Sequence, residues 1–245
     1  MLDDILLAQY ADSFFGYGNT KARLWFVGME EGGGGTVEEV AARLTAWDQR
    51  GRPMVDDVAG FHQAIGQQRW FEPGAPTQST WRQLIRATLL ANGRPVNLEA
   101  VREYQVQQFA RLDGDVASLE LLPLPSTSTR AEHWRYPQWS RLETLASRDG
   151  YRQHFLPLRI ALLKALIAQE RPTAVVFYGV TYQSHWEAIS GTTFGGGEFP
   201  RVESVDDTCF FVVPHPTAGP SRAQVKRPPE CFEAVGLALR AASLQ

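Results

Sequence analysis

Residues 23–35 read RLWFVGMEEGGGG, and this stretch decides the fold class. Its first five residues are mostly apolar and β-favouring, so residues 23–27 predict a short buried strand. The glycines that follow end this strand in a flexible loop over residues 28–35. Thr36 then suits the N-cap of a helix whose first turn is acidic, as the helix dipole favours. A strand, a glycine loop and a helix in this order indicate an α/β protein.

The rest of the chain repeats this alternation of strands and helices. Buried strands are also predicted at residues 118–122, 173–178, 199–202 and 209–213, and helices at residues 2–15, 56–65, 80–91, 98–109, 151–169, 180–189 and 229–242. Short, continuously apolar strands between helices are typical of a parallel sheet covered on both faces. We therefore predict a three-layer α/β sandwich with a central, mostly parallel sheet, formed by a single domain over residues 1–245. Two domains are the alternative at this length.

Charge and composition limit the class of protein. The chain has 245 residues and a net charge of −3, which argues against a protein that coats nucleic acid along its length. It has no apolar run of roughly 18 residues and no basic N-terminal region, so we expect a cytoplasmic protein without a membrane partner. Two cysteines are too few for a metal site and more consistent with two buried thiols, so we predict no metal and no cofactor.

In such folds ligands bind at the carboxyl ends of the strands, which selects the loops after the predicted strands. The loop over residues 28–35 combines the carboxylates of Glu30 and Glu31 with glycine N–H groups that can meet a polar ligand. It has neither the Lys-Ser/Thr of a P-loop nor the spacing of a dinucleotide fingerprint. A plain glycine connection is the alternative interpretation.

The second loop of interest covers residues 215–221. Pro214 and Pro216 flank His215 and restrict its backbone, and a rigid loop suits a catalytic imidazole. A histidine that only caps a turn is the alternative. The other four histidines, His62, His133, His154 and His185, lack metal-ligand spacing and are interpreted as structural or surface residues. A small basic patch is the alternative at the arginines 130, 135, 141, 148 and 152 and at Arg222, Lys226 and Arg227, and solvated loops and helix faces are the favoured interpretation for most of these residues. We predict that the two loops together form the functional site.

The ordered set of loops resembles a known family. A strand leads into Gly28-Met29-Glu30-Glu31-Gly32, a second strand ends in a proline loop, a third is closed by glycine, and the last leads into His215-Pro216-Thr217. This order, which spans most of the chain, resembles the uracil-DNA glycosylase superfamily. The resemblance implies a uracil-DNA-glycosylase-like fold, and it implies DNA or a free nucleobase or nucleotide as the partner.

The resemblance implies catalytic roles for Glu30 and His215. In the superfamily a polar residue after the first strand positions the water that attacks the sugar carbon, and Glu30 matches it, with Glu31 where the family has proline. The superfamily's His-Pro-Ser motif has a histidine that donates to the base carbonyl and stabilises the leaving anion. His215 matches this histidine, and Thr217 replaces the serine.

The resemblance also implies residues that bind the base. Phe71 matches a phenylalanine that stacks on the flipped base, with Trp70 as the adjacent competitor. Glu120 stands where the family has an asparagine that reads the base edge. An ionised carboxylate only accepts hydrogen bonds, so we expect Glu120 to prefer a base edge with amino or imino donors.

The remaining expected contacts lie next to these motifs. Met29 and Thr217 complete the predicted base-binding site, and Ser221 and Arg222 are expected to contact a nucleic-acid backbone. The family's wedge leucine is missing after the histidine motif, which speaks against extrusion of a base from a duplex.

These residues lead to one principal expectation and two alternatives. The principal one is a uracil-DNA-glycosylase-like protein that binds a nucleobase or nucleotide and hydrolyses the N-glycosidic bond of an altered base, a hydrolase of DNA repair for which ordinary uracil excision is not expected. The first alternative is a non-catalytic module of the same fold that binds nucleic acid or a nucleotide. The second is an unrelated α/β hydrolase that uses Glu30 and His215 on another small molecule.

Overall fold

A computed structural model describes residues 1–219 and 227–243 of the chain. Seven strands form one sheet in the order β3-β1-β4-β2-β5-β7-β6. The strands are β1 (Gly16–Gly18), β2 (Leu24–Glu30), β3 (Val55–Asp56), β4 (Val116–Leu122), β5 (Ala174–Tyr178), β6 (Arg201–Val205) and β7 (Thr208–Val213). The neighbouring strands β4, β2, β5 and β7 are all parallel, and β1 also runs parallel to β3. The β1/β4 and β6/β7 pairs are antiparallel.

Eight α-helices within residues 1–219 and 227–243 flank this sheet. They are α1 (Asp4–Ser13), α2 (Val37–Gln49), α3 (Val58–Ala64), α4 (Ser79–Ala91), α5 (Leu98–Gln107), α6 (Arg148–Glu170), α7 (Gln183–Ser190) and α8 (Pro228–Ser243). Helix α4 packs on α5 and α8, whereas α6 packs on α1 and α7. The chain moves from β2 to β4 in one direction along the sheet and from β4 to β5 in the other. Because crossovers between parallel strands are right-handed, the helices of these two connections are expected on opposite faces of the sheet. The predicted α/β fold with a mostly parallel sheet flanked by helices is confirmed.

Strand β2 is longer than the sequence predicts. It continues past residue 27 because Gly28 pairs with Glu120 and Glu30 pairs with Leu122 on β4. Glu30 therefore ends a strand, and the loop predicted to begin at residue 28 begins at Glu31. The backbone of Glu30 is therefore fixed by the sheet and does not belong to a flexible loop.

Two short strands, β1 and β3, escaped the sequence analysis. Strand β1 consists of Gly16, Tyr17 and Gly18, too few residues to show an alternating pattern. Gly16 has a φ of +132°, and a side chain there would collide with the Ser118 backbone of β4. This strand pairs tightly with β4 only because both its ends are glycine.

The core is built on the central strands. All five residues of β5 are buried, as are the first six of β2. The buried apolar side chains form one contiguous cluster. Cys231 is buried and Cys209 is half-buried, and no disulfide joins them. No helix within residues 1–219 or 227–243 has the length and apolar character needed to cross a bilayer.

Arg159 of α6 is a buried polar side chain that links several backbone segments inside this core. Its side chain is fully buried and lies over the Phe15 ring, 3.4 Å from the ring centroid. Its guanidinium donates to the backbone carbonyls of Leu121 (2.9 Å) and Glu120 (3.2 Å). It also donates to the carbonyls of Asp12 (3.2 Å) and Phe14 (2.8 Å). One side chain thus joins α6 to the carboxyl end of β4 and to the segment before β1.

We expect Arg159→Met to destabilise the protein by about 3 kcal/mol, because several buried carbonyls lose their donor at once. Urea unfolding followed by circular dichroism measures the loss. Arg102→Met, at an exposed arginine of α5, is the matched control and should change stability by less than about 0.5 kcal/mol. Equal effects of the two substitutions would contradict the role assigned to Arg159.

Candidate functional site

A cavity of about 950 Å³ opens at the carboxyl ends of β2, β4, β5 and β7. Each of these strands, or the loop that follows it, contributes to the wall: Glu30 and Glu31, Glu120, Tyr178 and Gly179, and Pro214 and His215. Strand β2 lies between β4 and β5 in the sheet. The connection after β2 runs to β4 on one side of it, and the connection after β4 runs to β5 on the other side. The two connections therefore diverge at the carboxyl end of β2 and leave a crevice between them. Ligands of open α/β sheets bind at such a switch point.

Glu30 lies at the end of β2 in a buried ion pair with Arg148. The two side chains are 3% and 1% exposed, and Arg148 Nη2 donates to Glu30 Oε2. Ser147 caps α6 and so begins the helix at Arg148, whose guanidinium also lies 4.9 Å from the centroid of the Trp134 ring. Burial raises the pKa of Glu30 although Arg148 opposes the shift. The interpretation of Arg148 as a solvated arginine was therefore wrong.

Glu31 belongs to a second charged network. Its carboxylate accepts from Arg43 of α2 at 2.8 Å and from the Tyr17 hydroxyl at 3.0 Å. The Nε2 atom of His62 lies 4.0 Å from the other carboxylate oxygen. His62 Nδ1 lies 2.7 Å from the Val58 carbonyl, so Nδ1 carries the proton and the lone pair of a neutral ring is on Nε2. Burial lowers the pKa of His62, against the pull of Glu31.

Glu120 and Tyr178 form a pair on adjacent walls of the cavity. The Tyr178 hydroxyl donates to Glu120 Oε1 at 2.8 Å. The other oxygen, Oε2, is buried and has no hydrogen-bond partner in the described part of the chain. A side chain at position 28 would overlap the Glu120 carboxyl and the Tyr178 ring, so Gly28 makes room for the pair. Burial raises the pKa of Glu120 to about 8; the Tyr178 hydrogen bond opposes the shift, and the charges of Glu31 and Glu30 add to it.

His215 is exposed at the rim of the cavity, with its ring 5.7 Å from the Tyr178 ring. The Thr217 N–H donates to His215 Nδ1 at 3.3 Å, and the Thr217 hydroxyl oxygen is 3.0 Å from the same atom. An accepting Nδ1 places the proton of the neutral ring on Nε2. Desolvation by the surrounding walls lowers the pKa of His215, which favours this neutral ring at pH 7. His215 can therefore donate one hydrogen bond from Nε2.

The aromatic part of the wall differs from the sequence prediction. Trp70, Trp81 and Tyr182 line the cavity, and Phe71 does not. Phe71 packs behind them, 5.6 Å from both the Trp81 and His62 rings, with Arg111 5.1 Å from its centroid. Phe71 was expected to face a base, and the structure instead places the neighbouring Trp70, the last residue of a 3₁₀ turn at Gln68–Trp70, on the cavity wall. Trp70 is the residue that the sequence suggested as the alternative to Phe71.

The other predicted site residues are divided between three locations. Met29, Glu30, Glu120 and His215 line the cavity, so these predictions converge on one space. Thr217 does not line it and acts through His215 Nδ1. Ser221 and Arg222 lie outside the described residues.

The sequence analysis missed several residues of the wall. Tyr178 ends a predicted strand, so its place at a strand end was a usable signal. Arg43 reaches the site from α2, and no local pattern distinguishes it from a surface arginine. His62 was interpreted as structural or surface, yet it lines the cavity from α3.

The wall carries both signs of charge. Its carboxylates are Glu30, Glu31, Glu39 and Glu120, and its arginines are Arg43, Arg69 and Arg227. Within residues 1–219 and 227–243, no group of three or more histidine, cysteine, aspartate or glutamate side chains could hold a metal ion. The arrangement can hydrogen-bond a polar ligand at several points and stack its ring on indole or phenol groups.

The raised pKa of Glu120 predicts a dependence of stability on pH. In the unfolded chain Glu120 titrates near 4.5, and in the folded protein near about 8. As the pH rises between these values, the unfolded state releases a proton that the folded state keeps, so the folded protein loses stability. Position 120 does not titrate in Glu120→Gln, so the melting temperature of this variant should gain on that of the wild type by roughly 10 °C between pH 5 and 8.

Above pH 8 that difference should become constant, because Glu120 is then ionised in both states. Thermal unfolding at half-unit pH steps measures it. Glu103→Gln, at an exposed carboxylate of α5, is the control and should track the wild type at every pH. A Glu120→Gln curve parallel to that of the wild type would contradict the burial of an ionisable Glu120.

No protein-family model matches the chain, and no curated protein matches it. What the cavity binds is therefore inferred from its own residues.

Proposed function

We propose that the cavity binds a nucleobase, presented as a nucleotide or within a single strand of DNA, and that the chain hydrolyses the N-glycosidic bond of an altered base. One observation carries the proposal: Glu30, Glu120 and His215, from three separate parts of the sequence, line one cavity together with Trp70 and other aromatic side chains. The order of the loops, which resembles the uracil-DNA glycosylase superfamily, supports the same function.

The aromatic side chains suit the face of a base. Trp70 and Trp81 are half-buried, so each indole is fixed by packing and still accessible from the cavity. Stacking of a base on such a ring contributes about 1–3 kcal/mol to binding and tolerates different bases. The polar groups then select among bases by their edges.

In the proposed reaction a water attacks the sugar carbon that bears the base. The bond from this carbon to the base nitrogen breaks, and its electron pair leaves with the base. The His215 Nε2–H donates to a base carbonyl and stabilises the developing negative charge. Glu30 accepts the proton of the water on Oε1, the oxygen that has no partner in the described residues. The raised pKa of Glu30 makes it a stronger base than an exposed glutamate.

One observation favours a second function, a binding module without catalysis. Arg148 holds Glu30 in a buried ion pair, and a carboxylate neutralised by arginine is a weaker proton acceptor than an unpaired one. In this case the same cavity would bind a base without cleaving it.

Incubation with single-stranded oligonucleotides that contain uracil, hypoxanthine or xanthine tests catalysis. We expect abasic product from at least one altered base, and we expect Glu30→Gln to lower its rate by about 100-fold or more. The absence of abasic product from every substrate would exclude the glycosylase. A rise in melting temperature with the same oligonucleotides would then identify the binding module, because ligands that bind the folded state stabilise it.

We expect Trp70→Ala to weaken binding of a hypoxanthine-containing single strand by about 5- to 100-fold, since it removes a stacking surface. Phe71→Leu is the matched control on the adjacent residue and should leave affinity within about twofold, because Phe71 does not line the cavity. Fluorescence anisotropy of a labelled strand measures both. Loss of affinity in Phe71→Leu without loss in Trp70→Ala would reverse the assignment.

A further inference from the structure

Glu120 is a buried carboxyl group of the cavity that has no counter-ion within the described residues. No lysine, arginine or histidine lies within 4.0 Å of it among residues 1–219 and 227–243, whereas Glu30 is paired with Arg148 and Glu31 with Arg43. A buried carboxylate without a cation is costly, and such a group lowers its free energy by taking up a proton.

The groups around Glu120 act in the same direction. Glu30 ends the neighbouring strand β2 and Glu31 lies in the loop after it, and their negative charges disfavour a third charge. Tyr178 faces it from β5 and supplies one neutral hydrogen bond, and the His215 ring lies beyond Tyr178. The pKa of Glu120, about 8, follows from the burial of the group and from this arrangement.

The hydrogen bond from Tyr178 determines which oxygen carries the proton. The pKa of Tyr178 is raised well above its usual value, mainly by burial, so its hydroxyl stays protonated and donates to Glu120 Oε1. The acid proton of Glu120 then belongs on Oε2, the oxygen without a partner in the described residues. The O–H can turn toward the ligand by rotation about the bond from the carboxyl carbon to Oε2, which leaves the Tyr178 hydrogen bond to Oε1 in place.

We propose that Glu120 acts as a neutral carboxylic acid that donates a hydrogen bond to the ligand, and that the ligand group it selects is an acceptor such as a base carbonyl. This inference rests on the proposed function, because it names the edge of the base that the cavity reads. It reverses the expectation from the sequence, in which an ionised Glu120 prefers amino or imino donors. The substrate class becomes bases with a carbonyl at this edge.

The protonation of Glu120 can be measured without any ligand. In protein labelled with ¹³C at the glutamate carboxyl carbons, a pH titration by NMR should show one signal with a midpoint near 8, absent from Glu120→Gln. A Glu120 signal that titrates below pH 6 would overturn the proposal. Glu103→Gln removes an exposed carboxyl and should leave the signal with the high midpoint in place.

Two matched pairs of nucleosides test the donor role. Deoxyuridine and deoxycytidine differ by a carbonyl or an amino group at one ring position, as do deoxyinosine and deoxyadenosine. At pH 6.5 the carbonyl member of at least one pair should bind more tightly by isothermal titration calorimetry. Its dissociation constant should rise by up to about tenfold per pH unit above pH 8, as Glu120 ionises.

Glu120→Gln keeps an N–H donor, so it should retain the preference for the carbonyl and lose its dependence on pH. Tighter binding of the amino member at pH 6.5 would overturn the donor role. If none of the four nucleosides binds while the NMR midpoint stays near 8, the proposed nucleobase function fails and the neutral Glu120 stands. The two failures are thereby distinguished.

Discussion

The position of β2 in the middle of the sheet is the constraint on which the site depends. It lies between β4 and β5, and its residues from Leu24 to Met29 are buried. A strand buried in this way must be apolar along most of its length. This strand nevertheless ends at Glu30, and Glu31 follows it at the carboxyl edge of the sheet. Parallel neighbours then bring the ends of β4 and β5 to the same edge, where Glu120 and Tyr178 meet it. The cavity and its acidic character both follow from this arrangement.

Three carboxyl groups close together in a partly buried space require compensation. Arg148 from α6 neutralises Glu30, and Arg43 from α2 neutralises Glu31, so two different helices supply the two cations. Glu120 has neither and is compensated by a proton and by the Tyr178 hydroxyl. These three groups are thus two carboxylates in ion pairs and one protonated acid, and carboxyl groups that differ in protonation can take different roles toward a ligand.

Site residues with a local signal in the sequence were predicted, and site residues whose position depends on contacts between distant parts of the chain were missed. Glu30 and His215 were identified because each ends or closely follows a buried strand, a position that a short window of sequence reveals, whereas Glu120 lies within β4 and was identified from the resemblance to the superfamily. The structure places Trp70 rather than Phe71 on the cavity wall, at the end of one 3₁₀ turn. Arg43 and His62 come from helix faces, where a site residue and a surface residue have the same local pattern. Their function depends on contacts with Glu31 that span 12 and 31 positions along the chain.

By itself, the sequence determined the α/β class, the mostly parallel sheet and the loops at which a ligand can bind, because these follow from local hydrophobicity and from glycine and proline positions. Only the tertiary structure decided the strand order, the aromatic residue that faces the cavity and the partners of the three glutamates. The protonation of Glu120 belongs to this second group. In the unfolded chain a glutamate is an ordinary acid. It can serve as a hydrogen-bond donor near neutral pH only where folding buries it beside other carboxylates and, as in the described residues, with no cationic side chain in contact with it.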